Sequence, residues 1–211
     1  MPYSGAAIQP AEVTGLTCPR CWFTAPMIPL AALTVRCTRC EWPFTLAAPV
    51  LAAAPAFPAT TVAVVNPYAT PVSAVIAANG ATITAVTVSG VSAGTTAGTY
   101  LIPAGGSISA TFTVATPTWT WALPAISATV TAGGTALTFA PTGTNTAFAL
   151  GQVLIVDPAG TSDVVTVNGA PSATSVPVNS LNSAHNSGVL VAVAAISPQL
   201  SGVEAVPKTS Y

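Results

Sequence analysis

Charged side chains are scarce in this sequence and unevenly placed. Only 4% of the residues are Asp, Glu, Lys or Arg, whereas soluble proteins have about 25%. Residues 42–156 contain none at all. Such a surface is hydrated by Ser, Thr, Asn and the backbone, and a net charge of −1 gives copies of the chain little mutual repulsion. We therefore expect the protein to associate with other subunits.

Further absences exclude whole classes of protein. Four Lys and Arg residues and a pI of about 5.5 do not make the basic field of a nucleic-acid-binding protein. The most apolar stretch, residues 44–65, contains Pro49, Pro55 and Pro58 and does not predict a membrane-spanning helix. The first fifteen residues have neither the basic start nor the apolar run of a secretory signal. We expect synthesis in a cytoplasm, with neither nucleic acid nor membrane as a partner.

All the cysteines lie in one short segment. Two Cys-x-x-Cys pairs with fifteen residues between them have the spacing of a four-thiolate zinc ribbon. Four thiolates close the coordination shell, so the predicted Zn²⁺ is structural. Two alternatives are a pair of disulfides and a redox Cys-x-x-Cys, although the latter usually stands at a strand-to-helix junction. The predicted metal ligands are Cys18, Cys21, Cys37 and Cys40.

Arginines and aromatic residues surround these cysteines. The guanidinium groups can offset the double negative charge of a Zn(Cys)4 centre. The aromatic rings are expected to cover the centre or to dock into a partner. The arginines are Arg20, Arg36 and Arg39, and the aromatic residues are Trp22, Phe23, Trp42 and Phe44.

Beyond the cysteines the sequence is typical of an all-β protein. In SISATFTV, Ile108, Ala110, Phe112 and Val114 alternate with Ser and Thr, as in a half-buried strand. Asn79-Gly80 separates two strand-like segments and predicts a type I′ hairpin. About six such strands suit a small sandwich.

A second β pattern follows Leu123-Pro124. ISATVT (126–131) alternates, QVLIVD (152–157) is continuously apolar, and Asn168-Gly169 is another hairpin candidate. No helical period is convincing. The predicted organisation is an N-terminal arm with a zinc ribbon (1–44), a Pro/Ala linker acting as an extended spacer (45–60), a β-sandwich module (61–122), a small β-barrel-like module (123–196) and an extended tail (197–211).

Two further groups of residues, one polar and one aromatic, are candidates for a functional site. Asp157, Asp163 and His185 are the only polar set outside the ribbon that could act in acid–base catalysis. Asp157 stands in a turn sequence, DPAG, and a lone imidazole such as His185 usually bonds a backbone carbonyl, so we predict no catalytic residue and no enzyme. Trp119 and Trp121 share one strand face and could stack on a sugar, although core aromatics are commoner.

Two stretches of the sequence resemble known protein modules. Residues 66–121, from NPYATPVSAVIAANG to TPTWTW, resemble β modules of virion proteins of phages that infect actinobacteria, notably capsid decoration and minor capsid proteins. Residues 151–191, GQVLIVDPAGTSDVVTVNGAPSATSVPVNSLNSAHNSGVLV, resemble a short β module of phage structural proteins. The resemblance implies a homo-oligomer, often a trimer, that binds the assembled lattice of the major capsid protein in many copies on the capsid surface. The zinc ribbon departs from decoration proteins that have a single β domain.

The first functional hypothesis is therefore a capsid decoration or cement protein that stabilises the assembled shell. A minor tail or head–tail connector protein is the alternative within the virion. A carbohydrate-binding or adhesin module is the alternative of another class.

Overall fold

The computed structural model describes residues 16–24, 27–31, 33–141 and 146–196. These residues contain strands and no helix, which confirms the all-β prediction. No helix among them is long and apolar enough to span a membrane. The expected tail, and all of the expected N-terminal arm before Leu16, lie outside the described residues.

The strands are short because Gly, Pro and Asn interrupt the apolar pattern every few residues. In chain order they are β1 (Met27–Ala31), β2 (Thr34–Cys37), β3 (Pro43–Ala47), β4 (Val64–Val65), β5 (Val72–Ala77), β6 (Thr82–Val88), β7 (Val91–Gly94), β8 (Gly98–Ile102), β9 (Ser107–Thr113), β10 (Thr118–Ala122), β11 (Ala136–Thr138), β12 (Val153–Val156), β13 (Asp163–Thr166), β14 (Ser175–Pro177), β15 (Val191–Val193) and β16 (Ala195–Ile196).

The middle of the chain is a sandwich of two sheets. One sheet has the order β4-β9-β6-β7, and the other has the order β10-β5-β8. Both sheets contribute to one core that includes Val86 and Ile108 from the first and Val72 and Tyr100 from the second. The alternation predicted for residues 107–114 is confirmed at Ile108 and Ala110, which are buried, and at Phe112, which packs against the core.

Two details of the sandwich correct the sequence prediction. Asn79 and Gly80 do have positive φ angles, 48° and 85°, but β5 and β6 do not pair with each other. The turn carries the chain from one sheet to the other, so it is not a hairpin. Val114 lies beyond the end of β9 with a φ of 76° and is 90% exposed, so it does not continue the apolar face.

The C-terminal part has a two-stranded sheet, β11-β14, and a three-stranded sheet, β13-β12-β15. The strand predicted at residues 152–157 is confirmed, and all four residues of β12 are buried. The strand expected at residues 126–131 is wrong, since this stretch forms only one isolated bridge, Val130 with His185. Residues 167 and 168 pair with residues 177 and 178 around a longer loop, which differs from the tight hairpin expected at Asn168-Gly169.

The Pro/Ala segment expected to be a spacer lies against the sandwich. Residues 45–47 are the end of β3. Leu51, Ala54 and Phe57 then pack on the sandwich core. The Nε1–H group of Trp119 donates a hydrogen bond to the carbonyl of Pro55 over 2.7 Å. An apolar side chain every three residues therefore fixes this extended segment along one side of the sandwich.

The cysteine-containing segment shares a sheet and a core with the C-terminal part. β16 pairs with β3 and completes the four-stranded sheet β1-β2-β3-β16. Val153, Ile155 and Val164 pack in the same core as the buried residues Met27, Val35 and Leu46. Because residues point alternately to the two faces of a strand, Leu154 of β12 faces the other core, with Leu137 and Val165.

Candidate metal centre

The two Cys-x-x-Cys turns have the same backbone conformation. The N–H of Trp22 donates to the carbonyl of Cys18 over 2.9 Å, and the N–H of Glu41 donates to the carbonyl of Cys37 over 3.0 Å. The φ angles of Trp22 and Glu41 are positive, 57° and 58°. Each first cysteine also donates its N–H to the carbonyl five residues later, over 3.1 Å in both turns. The two turns thus repeat the same local hydrogen-bond pattern.

The turns bring the four sulfur atoms together. The Sγ atoms of Cys18 and Cys40 are 3.6 Å apart, those of Cys21 and Cys37 are 3.7 Å apart, and all four lie within 4.8 Å of one another. A tetrahedron with Zn–S bonds of about 2.3 Å has edges of about 3.8 Å. No cysteine of the cluster is in a disulfide, which argues against the disulfide alternative. The four cysteines therefore lie where they could bind one metal ion.

The thiols differ in their tendency to ionise. Burial raises the pKa of the Cys37 thiol, but hydrogen bonds from the backbone N–H groups of Cys40 and Arg39 outweigh burial and lower it to about 7. At Cys40 the backbone N–H of Trp42 favours the thiolate, yet burial and the three neighbouring sulfurs raise the pKa to about 12. A cation would stabilise several thiolates at once, and a cluster of this kind needs that stabilisation.

Arginine and aromatic side chains connect the two turns reciprocally. The guanidinium of Arg20, in the first turn, lies 4.3 Å from the ring centroid of Trp42, just after the second. The guanidinium of Arg39, in the second turn, lies 4.5 Å from the ring of Phe23, just after the first. Arg20 and Arg39 thus each contact an aromatic ring of the opposite turn. The repeated pattern Cys-x-Arg-Cys-x-aromatic is the sequence signal of this pairing, and the spacing of the cysteines alone does not reveal it.

The aromatic residues near the cluster do not all cover it. Phe44 is buried in the core that contains Cys18 and Cys37. Trp22 is 81% exposed, whereas Phe23 and Trp42 are 42% and 39% exposed. Arg36 forms an ion pair with Glu41 over 3.1 Å, both side chains being partly exposed. Of the two alternatives expected for these rings, covering the centre does not hold for Trp22, which leaves docking into a partner for this side chain.

Of the three polar residues that are candidates for catalysis, Asp163 and His185 form a pair, whereas Asp157 is not part of it. The Nε2 atom of His185 lies 3.0 Å from Oδ2 of Asp163, which also accepts a hydrogen bond from the N–H of Ser183 over 2.9 Å. Both side chains are buried. His185 thus bonds a carboxylate, and the backbone carbonyl expected from the sequence is not its side-chain partner. Because Asp163 accepts from Ser183 and His185, the pair ties the loop at 183–185 to β13.

Asp157 stands apart from that pair in its interactions. It lies in the turn after β12, where its carbonyl accepts hydrogen bonds from the N–H of Gly160 and the hydroxyl of Ser162. Its φ of 56° is typical of a tight turn. The turn interpretation of DPAG is consistent with this position.

Trp119 and Trp121 are in the sandwich core. Each is 8% exposed, and their ring centroids are 5.4 Å apart in an edge-to-face arrangement. Phe57 covers Trp119 with a centroid separation of 4.5 Å. The two rings therefore do not form an open platform for a sugar, and the observation that motivated the carbohydrate-binding alternative is lost.

Neither the family models nor the curated proteins nor the solved structures compared with the chain give a match.

Proposed function

We propose that the chain is a structural protein of a phage virion, a capsid decoration or cement protein. In this proposal it binds the assembled lattice of the major capsid protein in many copies, as a homo-oligomer such as a trimer, and stabilises the shell. It has no catalytic role. The resemblance of residues 66–121 and 151–191 to virion β modules supports the proposal.

The observation that carries the proposal is the lack of charge on the sheet edges of the sandwich. Proteins normally protect edge strands with charged residues, since an open edge can pair with another chain. The sandwich has edge strands β4, β7, β8 and β10, yet residues 42–156 contain no charged side chain. Val65 and Val91, on two of these edge strands, are 58% and 59% exposed. Such edges suit a protein whose edges are covered by neighbouring subunits.

We propose that the four cysteines bind Zn²⁺ and that its role is structural. The donor set is four thiolates, which Zn²⁺ accepts in tetrahedral sites, and the sulfur separations agree with such a site. Zn²⁺ would supply a charge that holds the thiolates in their ionised form. Elemental analysis of the purified chain is expected to give one zinc per chain, and a chain that folds without metal would contradict the assignment.

Copy number tests the virion role. Purified particles of the phage that encodes the chain are analysed by quantitative mass spectrometry against the major capsid protein. A decoration protein is expected at a fixed ratio to the capsid subunit, with hundreds of copies in each particle. A few copies would assign the chain to the tail or the head–tail connector, and its absence from particles would refute the proposal.

A further inference from the structure

Trp22 occupies a position that its side chain does not suit. It is 81% exposed, and its φ of 57° is in the left-handed region that bulky residues rarely adopt. The turn requires only the backbone N–H that bonds Cys18, so glycine would satisfy it with less strain. Among the described residues the Trp22 ring has no aromatic or cation–π partner. The fold itself therefore gives no reason for a tryptophan here.

The two arginines of the Cys-x-x-Cys turns are oriented by aromatic rings, and neither forms an ion pair among the described residues. Arg20 and Arg39 are exposed, and each lies over an aromatic ring of the opposite turn. Stacking restricts the side chain and leaves the N–H groups in the guanidinium plane free to bond a carboxylate. No described carboxylate is within ion-pair distance of either arginine. Glu41, which lies in the second turn, pairs with Arg36. The N–H groups of these two exposed guanidiniums can therefore bond carboxylates of a partner.

We infer that Trp22, Phe23, Trp42, Arg20 and Arg39 form a docking surface, here called the ribbon tip, that anchors this chain to a protein. The complementary face has an apolar pocket that takes the Trp22 ring, with carboxylates at its border that pair with Arg20 and Arg39. The inference rests on the proposed function, so that protein is the capsid subunit. Tryptophan and arginine are the residues that most often dominate binding energy at protein interfaces.

A nucleic acid fits this surface less well. Phosphate-binding surfaces carry a row of cations, whereas the ribbon tip has two guanidinium groups and the carboxylate of Glu41 is exposed next to Trp42. No positive charge continues the surface into residues 42–156. By contrast, the two guanidinium groups are enough to pair with carboxylates at the border of an apolar pocket on a partner protein.

The first test changes Trp22 in the full-length, metal-loaded chain. The probe is the shell of the encoding phage, prepared from particles that lack this chain, and binding is measured by co-sedimentation. Trp22→Gly is expected to weaken binding by at least about 30-fold, as for an interface hot spot. Because glycine relieves the positive φ, its thermal midpoint and metal content are expected to equal or exceed those of the unchanged protein. If Trp22 served the fold alone, Trp22→Gly would instead lower the thermal midpoint together with shell binding.

Leu150→Ala is the matched control, because Leu150 is an exposed apolar residue, 67% accessible, outside the ribbon. It is expected to leave shell binding unchanged. If the unchanged chain binds shells and Trp22→Gly binds equally well, the ribbon-tip inference is overturned while the proposed function stands. If the unchanged chain does not bind shells, the proposed function fails, and the inference that rests on it fails too.

The second test concerns the arginines. The variants Arg20→Gln and Arg39→Gln are each expected to weaken shell binding by about tenfold, as for loss of a charge-assisted hydrogen bond, and to reduce its salt dependence. A single-stranded oligonucleotide of twenty thymidines serves as the nucleic-acid probe, with fluorescence anisotropy as the readout. No binding is expected. Tight oligonucleotide binding that the same variants abolish would overturn the inference and assign the ribbon tip to nucleic acid.

Discussion

Ile196 pairs with Leu46 in antiparallel register, so the last described strand of the chain completes the sheet that contains Cys37. The four-cysteine cluster and the C-terminal sheet also share one core, in which Ile155 packs with Met27 and Val35. The cysteine-containing segment is therefore joined to the C-terminal part of the chain by hydrogen bonds and by apolar packing. A perturbation of the cysteine cluster should reach β16.

Removal of the metal is expected to loosen the C-terminal sheet as well as the ribbon. A metal held by four thiolates contributes on the order of 10 kcal/mol of apparent folding free energy, which is lost with the ion. After treatment with a chelator, amide hydrogen exchange should accelerate in β3 and at residues 195 and 196, while β6 and β9 of the sandwich stay protected. Unchanged exchange at Ala195 and Ile196 would show that the two ends are not coupled.

Substitutions at two neighbouring residues of β12 should distinguish the two cores that this strand contacts. Leu154 and Ile155 are both fully buried, but Leu154 belongs to the C-terminal core and Ile155 to the core that contains Cys18 and Cys37. Leu154→Ala and Ile155→Ala should each cost about 2–5 kcal/mol in the free energy of unfolding. Only Ile155→Ala is expected to speed the release of metal to a competing chelator. Equal release rates in the two variants would contradict the assignment of the cores.

The buried Asp163–His185 pair should act as a structural unit. His185→Ala leaves the carboxylate without its side-chain partner and Asp163→Ala also removes the acceptor of the Ser183 N–H, so each should cost about 3–5 kcal/mol. The double variant should cost much less than the sum, as measured by urea unfolding. Asp157→Asn is the control, because asparagine tolerates the positive φ of that turn, and should change stability by less than about 0.5 kcal/mol. Additive losses in the double variant would argue against the pair.

The two sandwich tryptophans should respond differently to loss of the indole N–H. Trp119 donates to the carbonyl of Pro55, whereas the buried Nε1 of Trp121 has no hydrogen-bond partner among the described residues. Trp119→Phe should therefore destabilise the protein by about 1–2 kcal/mol more than Trp121→Phe. Urea unfolding gives the free energy of unfolding of each variant, and the difference between the two variants measures how firmly the Pro/Ala segment is held. A smaller loss for Trp119→Phe would show that this hydrogen bond does not fix the segment.

The sequence predicts best what depends on neighbouring residues. The spacing of Cys18, Cys21, Cys37 and Cys40 predicts the cluster, because each Cys-x-x-Cys turn sets the position of its own two sulfurs. Alternation predicts that Ile108 and Ala110 are buried, and Asn79-Gly80 predicts positive φ angles. These are properties of a few consecutive residues.

What the sequence does not reveal depends on distant residues. Asn79-Gly80 has the φ angles of a turn, but whether the next strand returns to the same sheet depends on β8, β9 and β10. His185 and Asp163 meet from positions 22 residues apart, and nothing near either residue indicates the pairing. The segment at 126–131 alternates yet lacks a continuous partner strand, so it forms only a single bridge.

Electron microscopy of particles of the phage that encodes the chain is the decisive experiment on the proposed capsid role. We expect density for the sandwich and the four-cysteine cluster at symmetric positions on the outside of the shell, with the Trp22 side chain buried against a capsid subunit. A shell traced at side-chain resolution that has no density for this chain would refute that role.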